Sequence, residues 1–157
     1  MSYVNADGLE VLTAGEQGTA AKRGTSLSSQ KKALVMTITG TDLGTGAVTP
    51  QDHDAFIPAG SYITGAHLVV TTAFTSGGSA TLTIGSYTQA GAAVDADGID
   101  ATIAVADLVA NKAVACNGAA VGGTATVGAA DVYIEAIYGT AAFTAGEAKL
   151  VIEYIEP

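Results

Sequence analysis

Ala148-Lys149-Leu150-Val151-Ile152-Glu153-Tyr154 alternates residue by residue. In an extended chain Ala148, Leu150, Ile152 and Tyr154 fall on one face, and Lys149, Val151 and Glu153 on the other. Such a period of two reads as a half-buried strand. Val132, Ile134, Ala136 and Tyr138 alternate with Tyr133, Glu135 and Ile137 in the same way. Upstream, Leu34, Met36 and Ile38 alternate with Val35, Thr37 and Thr39. A strand over 61–72 sets His67, Val69 and Thr71 against Leu68 and Val70, and Leu82 and Ile84 alternate with Thr81 and Thr83.

The stretches between these runs carry turn chemistry. Pro58-Ala59-Gly60 stops a short strand at Ala55-Phe56-Ile57, and Ser76-Gly77-Gly78-Ser79 is a turn. Residues 40–52 and 88–98 are rich in Gly and Asp and read as loops. Ala101–Val109 is Ala-rich and reads as one short helix with Asp100 as its N-cap. Ala113–Cys116 and Val121–Val127 read as further strands. Many short strands with Gly-rich turns and long connections predict an all-β fold, an antiparallel β-sandwich of jelly-roll or Greek-key type with at most one short helix. Residues 1–32 lack sustained periodicity and read as an extended N-terminal arm, leaving 33–157 as the sandwich domain.

The chain has 157 residues, enough for one domain with an arm. Ala, Gly and Thr make up 71 of them, whereas Leu, Ile, Val and Phe number only 36. This composition excludes a helical bundle, and a core so poor in large side chains is marginal for an isolated monomer. There is no run of about 18 apolar residues to span a membrane and no secretory signal pattern at the N-terminus.

Net charge is −9 and unevenly spread. Residues 1–32 hold Lys22, Arg23, Lys31 and Lys32 against three acids, a net of +1, and residues 33–157 hold two lysines against twelve acids, a net of −10. A body of that charge repels phosphate, so the reading has no nucleic-acid partner and no membrane partner. In the arm, Val4, Leu9, Val11 and Leu12 are apolar anchors for a neighbouring subunit, and the basic cluster at 22–32 suits an acidic partner.

Cys116 is the only cysteine and cannot form an intrachain disulfide. It reads as a buried structural thiol made in a reducing cytosol. Asp95-Ala96-Asp97-Gly98-Ile99-Asp100 sets three carboxylates around a glycine, a partial match to what calcium asks of a turning backbone. The competing reading, a tight turn followed by a helix cap, is the stronger one, so no cofactor is expected and Asp95, Asp97 and Asp100 stand only as a metal candidate. Gln51-Asp52-His53-Asp54 is a weaker candidate of the same kind. No nucleophile elbow, phosphate loop or catalytic carboxylate pair can be found, and the chain is not expected to be an enzyme.

Two segments resemble each other. Phe74-Thr75-Ser76-Gly77 precedes Leu82-Thr83-Ile84, and Phe143-Thr144-Ala145-Gly146 precedes Leu150-Val151-Ile152. The shared unit reads as a strand, a Phe-plugged turn and a return strand.

Several motifs together resemble a known group: Asn5-Ala6-Asp7-Gly8-Leu9-Glu10-Val11-Leu12, Ile57-Pro58-Ala59-Gly60-Ser61-Tyr62-Ile63, Val70-Thr71-Thr72-Ala73-Phe74-Thr75, Asp97-Gly98-Ile99-Asp100-Ala101 and Tyr138-Gly139-Thr140-Ala141-Ala142-Phe143-Thr144-Ala145-Gly146. They are similar to small virion structural proteins of tailed bacteriophages, and a chain of this size looks most like a capsid decoration, or cement, protein. The resemblance implies a β-rich homotrimer, made in the host bacterial cytoplasm, that clamps the outside of the capsid by bridging major capsid protein subunits. The alternative is a head-fibre or tail component with a receptor- or glycan-binding sandwich, although the lack of Trp weakens a lectin reading.

Overall fold

A computed structural model of the chain describes residues 31–43 and 56–156, together with the backbone of two short strands at 2–4 and 10–12. The described residues include ten strands: β1 (Ser2–Val4), β2 (Glu10–Leu12), β3 (Lys31–Thr39), β4 (Phe56–Ile57), β5 (Tyr62–Ser76), β6 (Thr81–Tyr87), β7 (Ala93–Ala104), β8 (Ala113–Ala115), β9 (Val132–Gly139) and β10 (Phe143–Ile155). β1 and β2 pair only with each other among the described residues. The other eight form two four-stranded antiparallel sheets, ordered β3-β10-β5-β8 and β4-β9-β6-β7.

This order is that of a jelly roll. The chain from β3 to β10 is one long hairpin in which first pairs with last: β3 with β10, β4 with β9, β5 with β8 and β6 with β7. Rolling the hairpin adds two more ladders, β10 with β5 and β9 with β6, and closes the sandwich.

The alternation in the sequence predicts which side chains meet. Ala148, Leu150 and Ile152 of β10, Leu68 and Val70 of β5, and Ile38 of β3 are buried from one sheet. Val132 and Ile134 of β9, Leu82 and Ile84 of β6, and Ile99 and Ile103 of β7 are buried in the same cluster from the other. Fully burying one such Leu, Ile or Val contributes about 1.5–3 kcal/mol. Where large side chains run short, Ala66, Ala80, Ala136 and Ala148 fill the gap, and their size lets the sheets approach closely.

Three expectations are corrected. Ala101–Val109 is not a helix. β7 runs on to Ala104, and only Val105–Asp107 forms a single 3₁₀ turn. Asp100 lies inside the strand, because β6 and the chain at 118 offer it ladder partners that a short Ala-rich helix would lack. The loop expected at 88–98 ends early, since β7 starts at Ala93. Val121–Val127 is a loop with scattered backbone bonds. The Gly122 amide donates to the Ile63 carbonyl and the Val127 amide to the Ser61 carbonyl, while the partly buried Val121 and Val127 side chains pack on the core. Their spacing reports burial of a loop, not a ladder.

The internal repeat differs in its second copy as well. After Phe74 the chain leaves β5 and turns at 77–80, but Phe143 opens β10 and the strand continues. Gly146 adopts φ +130, within a stretch of β10 where the register against β5 shifts repeatedly. The two phenylalanines meet edge to face, with ring centroids 5.3 Å apart and planes at 76°. A methyl group at Gly146 would sit 2.3 Å from Phe74 Cγ, so the glycine leaves room for the ring. Gly146→Ala is expected to add steric overlap, about 1–3 kcal/mol, to the backbone strain of a left-handed alanine. Gly128→Ala, with φ +115 and no atom within 4 Å, suffers the backbone strain alone. Urea unfolding midpoints of the two variants measure the difference.

Candidate functional site

One end of the sandwich gathers the N-terminus of β3, the C-terminus of β10, the β4–β5 and β6–β7 turns and the long 116–131 loop. Lys31 faces Ile155, which faces Tyr62, and the Gly60 amide donates to the Gly128 carbonyl. The Asp-rich stretch belongs to this end. Between Ile84↔Asp100 and Ser86↔Asp95 the β6–β7 ladder advances two residues on β6 and five on β7. Ala96 to Ile99 therefore bulge out of the ladder, which bends the strand and re-aims its side chains.

Two glycines permit the bulge. A Cβ at Gly85 would lie 2.2 Å from the Ala96 carbonyl oxygen, and one at Gly118 would lie 2.3 Å from that of Gly98. The close approach lets the Gly118 amide donate to the Ile99 carbonyl at 2.8 Å and the Ala120 amide to the Gly98 carbonyl at 2.9 Å. The loop at 118–120 thus supplies β7 with partners that β6 does not offer it there.

The three aspartates have different tasks. Asp100 is buried, and its carboxylate accepts from the Thr102 amide at 3.0 Å and the Asn117 amide at 3.4 Å. It pins the end of β8 to β7. Asp95 and Asp97 instead share a hydrogen bond. Burial, and then this bond and the neighbouring charge, hold the Asp95 carboxyl above its ordinary value. Among the described residues no three metal-ligating side chains converge, so the trio does not assemble as one group. The Asp52-His53-Asp54 candidate lies outside the described residues.

Beside Asp95 a cavity of about 310 Å³ opens between the 119–127 loop and the strands, walled by Ile63, Val94, Ala120 and Val127 with Ser86. Nearby, the Tyr87 phenol is pushed up by burial and then by the carboxylates of Glu135 and Asp97. This end is apolar inside, with carboxylates beside the cavity. Cys116 is buried, and burial, with the Asp100 charge behind it, pushes its thiol up to about 12. A thiol held that high is not a thiolate at neutral pH.

The arm residues are placed only in part. Val4 lies in β1, and Val11 and Leu12 in β2. Leu9, Lys22 and Arg23 lie outside the described residues. Lys31 and Lys32 open β3, where Lys31 pairs with Glu153 at 2.7 Å and Lys32 with Glu156 at 2.5 Å. Their charge is thus directed first to the chain's own C-terminal strand. The β6–β7 bulge escaped the sequence reading, although Gly85 in the middle of an alternating run is the kind of signal that marks one.

At the opposite end the β5–β6 and β9–β10 turns lie side by side. Thr75 and Thr144 hydroxyls are 2.8 Å apart, Ser76 Oγ donates to the Ala142 carbonyl, and Thr140 holds φ 68, an unusual conformation for a β-branched residue. No helix among the described residues is long and apolar enough to cross a membrane.

No protein-family model matches the sequence, and no curated protein matches it. Two solved structures do. A chain in the capsid of Ralstonia phage GP4 superposes with a TM-score of 0.54 at 16% identity, over 90% of this chain and 94% of that one. A chain in the capsid asymmetric unit of cyanophage Pam1 gives a TM-score of 0.48 at 19% identity, over 94% of this chain and 98% of that one. At such identities the first likeness is one of fold, and it extends over nearly the whole of both chains. The class defined here is thus a jelly-roll sandwich whose fold occurs in a phage capsid.

Two expectations arise from this end. Because Asp95 binds its proton more tightly folded than unfolded, it favours the folded state at low pH. Stability from this group therefore falls as pH rises from its unfolded value toward its raised folded value. Asp95→Asn keeps a donor to Asp97 without the charge. It is expected to raise the melting temperature at neutral pH and to flatten that part of the pH profile, as calorimetry across the acid range would show. Cys116 is expected to resist alkylation at neutral pH until the protein is unfolded by denaturant, which mass spectrometry of iodoacetamide-treated samples would read.

Proposed function

We propose that the protein is a non-enzymatic structural component of a phage virion that sits on the outside of the capsid and stabilises it by bridging major capsid protein subunits. The observation that carries this reading is the near end-to-end match of its jelly roll to a capsid chain of Ralstonia phage GP4. The sequence motifs that resemble those of phage virion proteins point the same way, and so does an acidic body that faces solvent comfortably and rejects nucleic acid.

In this reading the arm makes the contact. Val4, Leu9, Val11 and Leu12 supply apolar anchors, and Lys22 and Arg23 supply positive charge. Each arm gains little by itself, but several engaging one shell act at high effective concentration.

Binding of the purified chain to capsids that lack it tests the proposal. The full chain is expected to bind and to raise the temperature at which the capsids rupture. A chain lacking residues 2–30 is expected to bind at least about tenfold more weakly, the equivalent of about 1.4 kcal/mol. Undiminished binding would remove the arm from the contact. No binding by the full chain, with glycan or receptor binding in its place, would turn the reading to a fibre or tail component.

A further inference from the structure

The edges of a β-sheet expose unpaired backbone groups, and proteins blunt them with short strands, bulges or charges. Three of the four edges of this sandwich are blunted. β4 has 2 residues and β8 has 3. β7 is long, but its ladder to β6 is broken by repeated register shifts.

β3 is the exception. It is a 9-residue edge strand whose pairing with β10 runs from Lys31↔Ile155 to Thr39↔Glu147 without a shift. Its sequence from Ala33 to Thr39 has no charge, no proline and no glycine. Among the described residues its outer side pairs with nothing. Val35, 58% exposed, is the most exposed large apolar side chain of the described body, and Leu34 and Met36 are only partly covered on the inner face. Three consecutive apolar residues thus stand at an open edge.

The charges at the ends of this strand indicate what fits it. Lys31 and Lys32, in exposed ion pairs with Glu153 and Glu156, lie at its start, and the exposed Asp42, which accepts from the Thr39 hydroxyl, follows its end. A second β3, laid antiparallel about a two-fold axis near Val35, brings each lysine pair beside the Thr39–Asp42 end of the other copy. A parallel neighbour would set like charges together. We propose that β3 is a self-association edge, through which two copies of this chain join antiparallel into one continuous eight-stranded sheet. Each strand then satisfies the other's free amides and carbonyls and covers Leu34, Val35 and Met36. The contact is isologous and so makes a dimer, in contrast to the trimer that the family resemblance implies. It belongs to the free protein and does not depend on the capsid reading.

Sedimentation equilibrium of the full chain, with hydrogen exchange at low and high protein concentration, tests this. The wild type is expected to sediment as a dimer at high micromolar concentration, with amides of Lys31–Thr39 gaining protection as concentration rises. Val35→Lys sets like charges close across the axis and is expected to weaken the dimer at least about tenfold. The same substitution at Val109, 46% exposed and outside both sheets, is the control and leaves the dimer intact. Equal melting temperatures for Val35→Lys and Val109→Lys would confirm that the folded subunit survives. A monomeric wild type, an oligomer that Val35→Lys leaves unchanged, or β3 amides indifferent to concentration would overturn the proposal.

Discussion

The ladder between Lys31–Thr39 and Glu147–Ile155 closes the molecule. It joins the first and last strands of the roll, and β10, in the middle of its sheet, also pairs with β5 along nearly its whole length. Every other pairing in the two four-stranded sheets is nested inside this one. β10 buries Ala148, Leu150 and Ile152 against the facing sheet while both of its ladder partners, β3 and β5, come from far earlier in the chain. Such non-local pairing is entropically expensive, so folding is expected to be slow compared with a fold of local contacts.

The buried core is mostly Ile, Leu, Val and aromatic side chains, with Ala66, Ala80, Ala136 and Ala148 set among them. Alanine and glycine take up little space between neighbouring segments, and the two phenylalanines meet edge to face. The consequence is sensitivity at glycines. Gly85, Gly118 and Gly146 each stand where an added methyl would collide with backbone or with Phe74. A high glycine content, which at first suggests a loosely folded chain, here marks close contact.

The two ends of the sandwich differ in kind. One is closed by small hydroxyls and a strained Thr140, the other by a Gly-rich loop stitched to a bulged strand, with a carboxyl pair beside a cavity. The proposed contacts lie at the arm and at the open β3 edge.

Strand identity was legible in the sequence wherever burial alternates. Leu34-Met36-Ile38, Val132-Ile134-Ala136 and Leu150-Ile152-Tyr154 declare their inner faces because a pleated chain sends every second side chain to the same side. The aspartates were legible as a cluster, though not as a divided one. What only the tertiary structure decided is partnership. β7 looked like a loop followed by a helix because Asp, Gly and Ala favour both locally, yet β6 and the loop at 118–120 hold it extended. The separation of Asp100 from the Asp95–Asp97 pair, the meeting of Phe74 with Phe143 and the open edge of β3 depend on which strand lies beside which. Local alternation records the face a residue turns to the core. It carries no information about the neighbour, because strand pairing is set by backbone groups that are the same in nearly every residue.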